Sequence, residues 1–145
     1  MALKSTIFRA TLNVSDLDRG YYAEHGLTIA RHPSETDERM MVRILAFALN
    51  ADERLQFGRG ISTDDEPALW LKDDTGRILK WIEVGLPDER LLRRAAGRAD
   101  EVIVLAYGGR TVDIWWQKES ATLSRLQNLK ILILLQINIS RVFSF

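Results

Sequence analysis

A mixed α/β sheet flanked by helices, entered through an N-terminal β-hairpin, is the fold class this sequence predicts. Three observations predict it. Apolar residues alternate with polar ones from Leu3 to Val14, and a second extended run covers Tyr21 to Ala30. Two later stretches, opening at Ser34 and at Pro87, carry apolar residues at helical spacing. Strand-like runs stand before, between and after these helices, an order that layers helices onto a shared sheet.

In the first strand Phe8, Ala10, Leu12 and Val14 share the apolar parity. Ser15 to Gly20 has turn chemistry, so the two extended runs form an antiparallel hairpin. Pro33 closes the second strand. Ser34, with Asp37 three residues on, has capping-box spacing in an Asp variant and predicts a helix start. Met40, Met41, Ile44, Leu45, Phe47 and Ala48 form its buried face, and it ends near Asn50. Arg54 to Ser62 reads as a strand with Leu55, Phe57 and Ile61 inward. The acidic run Asp64-Asp65-Glu66 then meets Pro67, and Ala68 to Lys72 admits either a short strand or one helical turn. Asp73 to Gly76 is a turn, and Arg77 to Val84 a strand. Pro87-Asp88-Glu89 opens a basic helix, Arg90 to Arg98, with Leu91, Leu92, Ala95 and Ala99 apolar. Glu101 to Tyr107 is a buried strand, Gly108-Gly109 turns, and Thr111 to Gln117 reads as a strand whose Trp115 and Trp116 point to opposite faces. Ile131 to Phe145 is rich in β-formers and, if exposed, prone to aggregate.

The chain has 145 residues, 46% of them hydrophobic and 28% charged, the makeup of a single domain spanning 1–145. With no cysteine and two histidines, disulfides, thiolate metal sites, Cys nucleophiles and His-rich zinc sites are excluded. Carboxylates are then the only metal ligands in quantity. Twenty basic side chains balance twenty acidic ones, so a nucleic-acid partner must be held by a local patch. Met1 to Ala10 carries charge where a signal peptide is apolar, and Ile131 to Ile139 is too short to span a bilayer. A cytoplasmic protein without a membrane partner is expected.

Several unusual strings occur in a fixed order. They are Arg31-His32-Pro33-Ser34-Glu35-Thr36, Glu38-Arg39-Met40-Met41, Ala51-Asp52-Glu53-Arg54-Leu55, Asp64-Asp65-Glu66-Pro67, Trp81-Ile82-Glu83-Val84-Gly85 with Pro87-Asp88-Glu89, and Trp115-Trp116-Gln117. From Met1 to about Leu129 the chain resembles the YaeQ family of bacterial proteins. The resemblance implies a fold like that of the PD-(D/E)XK nuclease superfamily with an altered motif, and it brings no established reaction. It also implies a longer C-terminal region, with further strands, than the residues after Leu129 supply; the chain there reads as truncated, frameshifted or incomplete.

Nucleases of that superfamily hold Mg²⁺ through acids on two strands, often with a helix Glu, and a Lys two positions after the last acid helps activate water. Magnesium suits such a site because it prefers oxygen ligands and keeps several waters. On this sequence the resemblance implies Glu83 as the strand acid, Asp65 or Glu66 as the first acid and Glu38 as the helix acid. Together Glu83, Asp65 and Glu38 would hold Mg²⁺ or Mn²⁺. The Lys position is Gly85. Lys80 has the opposite parity from Glu83 and does not replace it, whereas Arg39 and Arg43 offer displaced positive charge. Arg90 and Arg94, in a cluster with Arg93 and Arg98, are the candidate phosphate contacts.

Each residue also has a plainer reading. Asp64 to Pro67 suits a turn or helix cap, and Glu38 suits the helix dipole or a pair with Arg39 or Arg43. The arginines suit a solvated face, and His32 a local hydrogen bond. Three functions are therefore open: a metal-dependent phosphodiesterase or nuclease, a non-catalytic binding or regulatory module on the same scaffold, and acids that merely pair with arginines inside the domain.

Overall fold

The computed structural model describes residues 4–59 and 65–135. The inward Ile61, the Asp64 of the acidic run and the tail from residue 136 lie outside the described residues. The elements are β1 (Thr6–Asp16), β2 (Tyr21–Arg31), α1 (Asp37–Leu49), β3 (Leu55–Phe57), β4 (Leu69–Lys72), β5 (Ile78–Val84), α2 (Glu89–Arg98), β6 (Ala99–Ala106), α3 (Arg110–Leu123) and β7 (Leu129–Ile133).

β1 and β2 pair antiparallel along their whole length, Thr6 opposite Arg31 and Asp16 opposite Tyr21. The turn works as its residues predict: the Asp16 carboxylate accepts from the Asp18 and Arg19 amides, both at 3.1 Å. Ala10, Leu12 and Val14 face the core with Leu27 and Ile29, while Phe8 is exposed. The remaining strands form one sheet in the order β3-β4-β5-β6-β7. β3, β4 and β5 are antiparallel neighbours, and β5, β6 and β7 run parallel through α2 and α3. Parallel neighbours need such crossovers, since no hairpin can join them.

Two cores sandwich the sheet. On one face Ile82, Val84, Ile103 and Leu105 pack with the hairpin and with Met40, Met41, Val42, Ala46 and Phe47 of α1. On the other, Trp81, Val102, Val104 and Ala106 pack with Leu92 and Ala95 of α2 and with Val112 and Trp115 of α3. Ala68 to Lys72, which the sequence left between strand and helical turn, is a strand over Leu69–Lys72.

The structure departs from the sequence reading in several places, each with a local cause. α1 begins at Asp37 rather than Ser34. Thr36 is its cap, accepting from the Arg39 amide, while the Ser34 amide is spent on His32 Nδ1. β3 is short, because Gly58 leaves the strand to pass against Pro67. Its amide donates to the Ala68 carbonyl, and an added Cβ would stand 2.1 Å from the Pro67 oxygen. Gly58→Ala is therefore expected to destabilise the fold by about 2 kcal/mol, read from a urea midpoint. A register shift between Leu71 and Lys72 puts a bulge opposite Leu79. Strict alternation would put Leu79 on the face of Trp81 and Glu83; with the bulge it packs on the α1 side instead, and Ile78 joins Trp81 on the other.

The largest correction concerns Thr111 to Gln117, which is not a strand but the first half of α3. Val112, Trp115 and Leu123 are buried at helical spacing, and the Trp115 indole donates to the Pro87 carbonyl at 2.8 Å. Trp116 stands beside it on the turn and is more exposed, so the two rings do not straddle a sheet. No helix among the described residues is long and apolar enough to cross a membrane.

Candidate functional site

The candidate acids fall into two places. Glu83, 8% exposed, sits near the end of β5 and accepts the Trp81 indole N–H at 2.9 Å. Both side chains leave the sheet on the face that α2 covers. There a cavity of about 210 Å³ is lined by Asp65, Trp81, Leu91, Arg94, Ala95 and Arg98. The Arg98 guanidinium lies over the Trp81 ring, 5.0 Å from its centroid, and donates to the Asp65 carbonyl. Asp65, Glu83 and Arg94 are thus neighbours through Trp81. Arg90 and Arg94 are exposed and carry no ion pair among the described residues, whereas Arg93 pairs with Glu89 on the same helix.

Glu66, the other reading of the first acid, bonds the Arg59 amide and guanidinium instead. The Arg59 amide and side chain hold its carboxyl below the usual carboxylate range. Gly85 holds the position where the resemblance places Lys. Its φ of 98° is in the left-handed region, and its missing Cβ would face the Tyr107 ring at 3.9 Å. A side chain there is strained whatever its chemistry. Lys80 reaches the other way, to Asn50 Oδ1 on the α1 side, as its parity predicted.

Glu38 lines a different cavity, with Tyr107, Gly108, Gly109 and Arg110 past the end of β6. Among the described residues no three His, Cys, Asp or Glu side chains stand together as a metal cradle. Glu38, among the described residues, does not stand with Asp65 and Glu83. Burial pushes the Tyr107 phenol up; Glu38 and Glu35 add to this, while Arg39 and Thr36 oppose it. The neutral phenol is the form the fold favours. Its stabilisation is complete below the ordinary value of 10.0 and is lost as pH rises towards the folded value. Urea midpoints above pH 10 are expected to fall more steeply for the wild type than for Tyr107→Phe.

Arg39 belongs to a cluster centred on Glu35, which is not among the candidate site residues. Glu35 is 4% exposed and bridges two guanidiniums, one oxygen to Arg39 and the other to Arg43 Nη2 at 2.6 Å. The same Arg43 nitrogen donates to the Ala30 carbonyl on β2 at 3.0 Å. Burial lowers the Arg43 pKa, and Glu35 raises it back in part. The signal was present: Glu35, Arg39 and Arg43 follow one another at intervals of four, the spacing of one helix face. The sequence starts this helix at Ser34, whereas Glu35 lies in the turn before the Thr36 cap, from where it reaches both arginines.

The YaeQ protein family matches residues 1–144, and the YaeQ protein of Escherichia coli (strain K12) is 49% identical over all of this chain and 80% of its own length. The chain belongs to the YaeQ family. The family match runs past Leu129, where the resemblance read from the sequence stopped. YaeQ of Salmonella typhi is 51% identical over 90% of this chain and 72% of its own. The crystal structure of YaeQ from Xanthomonas axonopodis pv. citri superposes with a TM-score of 0.86 at 54% identity, covering 91% of this chain and 75% of that one. That of Pseudomonas syringae YaeQ gives 0.85 at 47% identity, over 89% and 71%. These bacterial YaeQ proteins share the fold, and none of their names states a reaction.

Proposed function

We propose that this chain is a binding module on a nuclease-like scaffold, which holds a nucleic-acid backbone against α2 without cleaving it. The observation that carries the reading is the exposed pair Arg90 and Arg94, which have no ion-pair partner among the described residues, beside Arg98 and the Asp65 cavity. Arginine suits this task because its planar fork pairs with phosphate through two donors. Two features favour binding over cleavage. Gly85 stands where a water-activating Lys would be needed, and the cation stacked on Trp81 is Arg98, a guanidinium rather than a tunable amine.

A labelled DNA duplex, followed by fluorescence anisotropy, tests the reading. Affinity is expected to fall with salt at a log–log slope of about −2 to −3, since roughly three phosphates are contacted. Arg90→Ala with Arg94→Ala should weaken binding about tenfold at fixed salt. Binding that ignores this double substitution, or no binding at all, overturns the proposal. The second reading, a phosphodiesterase with Mg²⁺ or Mn²⁺ on Glu83 and Asp65, draws on those two acids sharing one side of the sheet. Calorimetric titration of Mn²⁺ separates the two. Saturable heat that vanishes in Glu83→Ala favours catalysis, and flat heats in folded protein favour the binding module.

A further inference from the structure

We propose that the cavity between β2, α1 and the end of β3 binds a phosphate monoester, with the anionic head held by Arg39, Arg43 and His32. This site lies across the sheet from α2 and stands independently of the nucleic-acid reading. The cavity measures about 320 Å³, and its lining includes Thr28, His32, Glu35, Arg39, Arg43 and Phe57.

Charge is the first argument. Within the Glu35 cluster two guanidiniums share a single carboxylate, so the cluster keeps an excess positive charge at a place where Arg43 is only 5% exposed. Buried charge is costly unless paired, and an anion in the adjoining cavity supplies the pairing. Arg59, which pairs with Glu66, lines the same cavity and adds no negative charge to it.

Unused donors are the second argument. Arg43 spends Nη2 on Glu35 and on Ala30, and Arg39 spends Nη1 on Glu35; both side chains line the cavity, so each guanidinium has further N–H groups to offer an occupant. His32 is set up in the same sense. Its Nδ1 is engaged with Ser34, 3.1 Å from the amide and 2.6 Å from the hydroxyl, so Nε2 is the ring nitrogen left for an occupant of the cavity that the side chain lines. The Thr28 hydroxyl lines the same space. These donors come from β2, from the turn after it and from α1, and the three diverging oxygens of a tetrahedral phosphoryl head suit donors from three sides better than the two coplanar oxygens of a carboxylate. The cavity is larger than that head alone needs. Phe57 gives the remaining volume an apolar wall, so the ligand carries an organic group.

Calorimetry on the full chain tests this, with phenyl phosphate, inorganic phosphate and benzoate as probes. Phenyl phosphate is expected to bind saturably at one site, inorganic phosphate more weakly, and benzoate at least about tenfold more weakly than phenyl phosphate. Arg39→Gln should weaken phenyl phosphate about tenfold or more, since a charged hydrogen-bond donor is lost. His32→Gln, near the surface and remote from the core, should weaken it several-fold and keeps the test valid if Arg39→Gln folds poorly. Absence of saturable binding, or binding unchanged in folded variants, overturns the site. Benzoate binding as tightly as phenyl phosphate overturns the phosphate assignment. Duplex binding through Arg90 and Arg94 is a separate readout, so either proposal can fail alone.

Discussion

Glu35→Gln is expected to destabilise the protein by about 3–5 kcal/mol, because it removes one member of a buried ion cluster and strands the others. The wild-type carboxylate is 4% exposed and takes both guanidiniums, so both cations lose their charged partner at once. Glutamine keeps the shape but offers a single oxygen, and its amide nitrogen then faces a cation. Urea unfolding gives the number directly. Arg39→Gln should cost less, since its side chain is 17% exposed and Glu35 keeps Arg43. Replacing the pair together, Glu35→Leu with Arg43→Met, should recover much of the loss, as apolar replacements of buried ion pairs often do. A Glu35→Gln midpoint within about 1 kcal/mol of wild type would show that the cluster is hydrated in solution.

Trp81→Ala is the second large effect, at about 3–5 kcal/mol. The ring is 1% exposed in the α2-side core, meets Trp70 edge-on at 6.0 Å and lies under Arg98. Truncation leaves a cavity that β5 and α2 cannot close, because both are pinned by their neighbours. Trp81→Phe separates packing from polarity. It retains much of the apolar volume but deletes the indole N–H that Glu83 accepts, with an expected cost of about 1–3 kcal/mol. Should Trp81→Phe match Trp81→Ala, the hydrogen bond to Glu83 would be the greater part of what Trp81 supplies.

These two residues show what sequence reasoning reaches and where it stops. The hairpin was legible because its alternation and its Asp16 turn are local, and local chemistry fixes both. The opposite parity of Lys80 and Glu83 was legible because it needs only strand geometry. Leu79 was not, since the bulge beside it depends on how β4 pairs with β5. The Trp115-Trp116 pair misled because adjacent large aromatics favour strands, while the helical spacing of Val112, Trp115 and Leu123 extends beyond the segment taken as a strand. At the site, Arg39 was singled out as displaced charge, but what it faces was not visible. Its partner Glu35 sits in the turn before α1, and only the folded chain brings β2 and Phe57 up to Arg43.

The hairpin is a sheet of its own: β1 has no strand partner except β2 among the described residues. It is held to the body by Ala10, Leu12, Val14, Leu27 and Ile29 in the core, by the Arg31–Asp37 ion pair, by Arg43 on the Ala30 carbonyl and by Arg19 on the Ala51 carbonyl. Such an arm can swing out as one cooperative unit at less cost than unfolding the whole chain, and its amides should exchange with solvent hydrogen sooner than those of β5 and β6. Thr28 and Ala30 form a wall of the arginine-lined cavity. Each opening therefore takes that wall away, and an occupant of the cavity becomes the latch that decides how often the arm lets go.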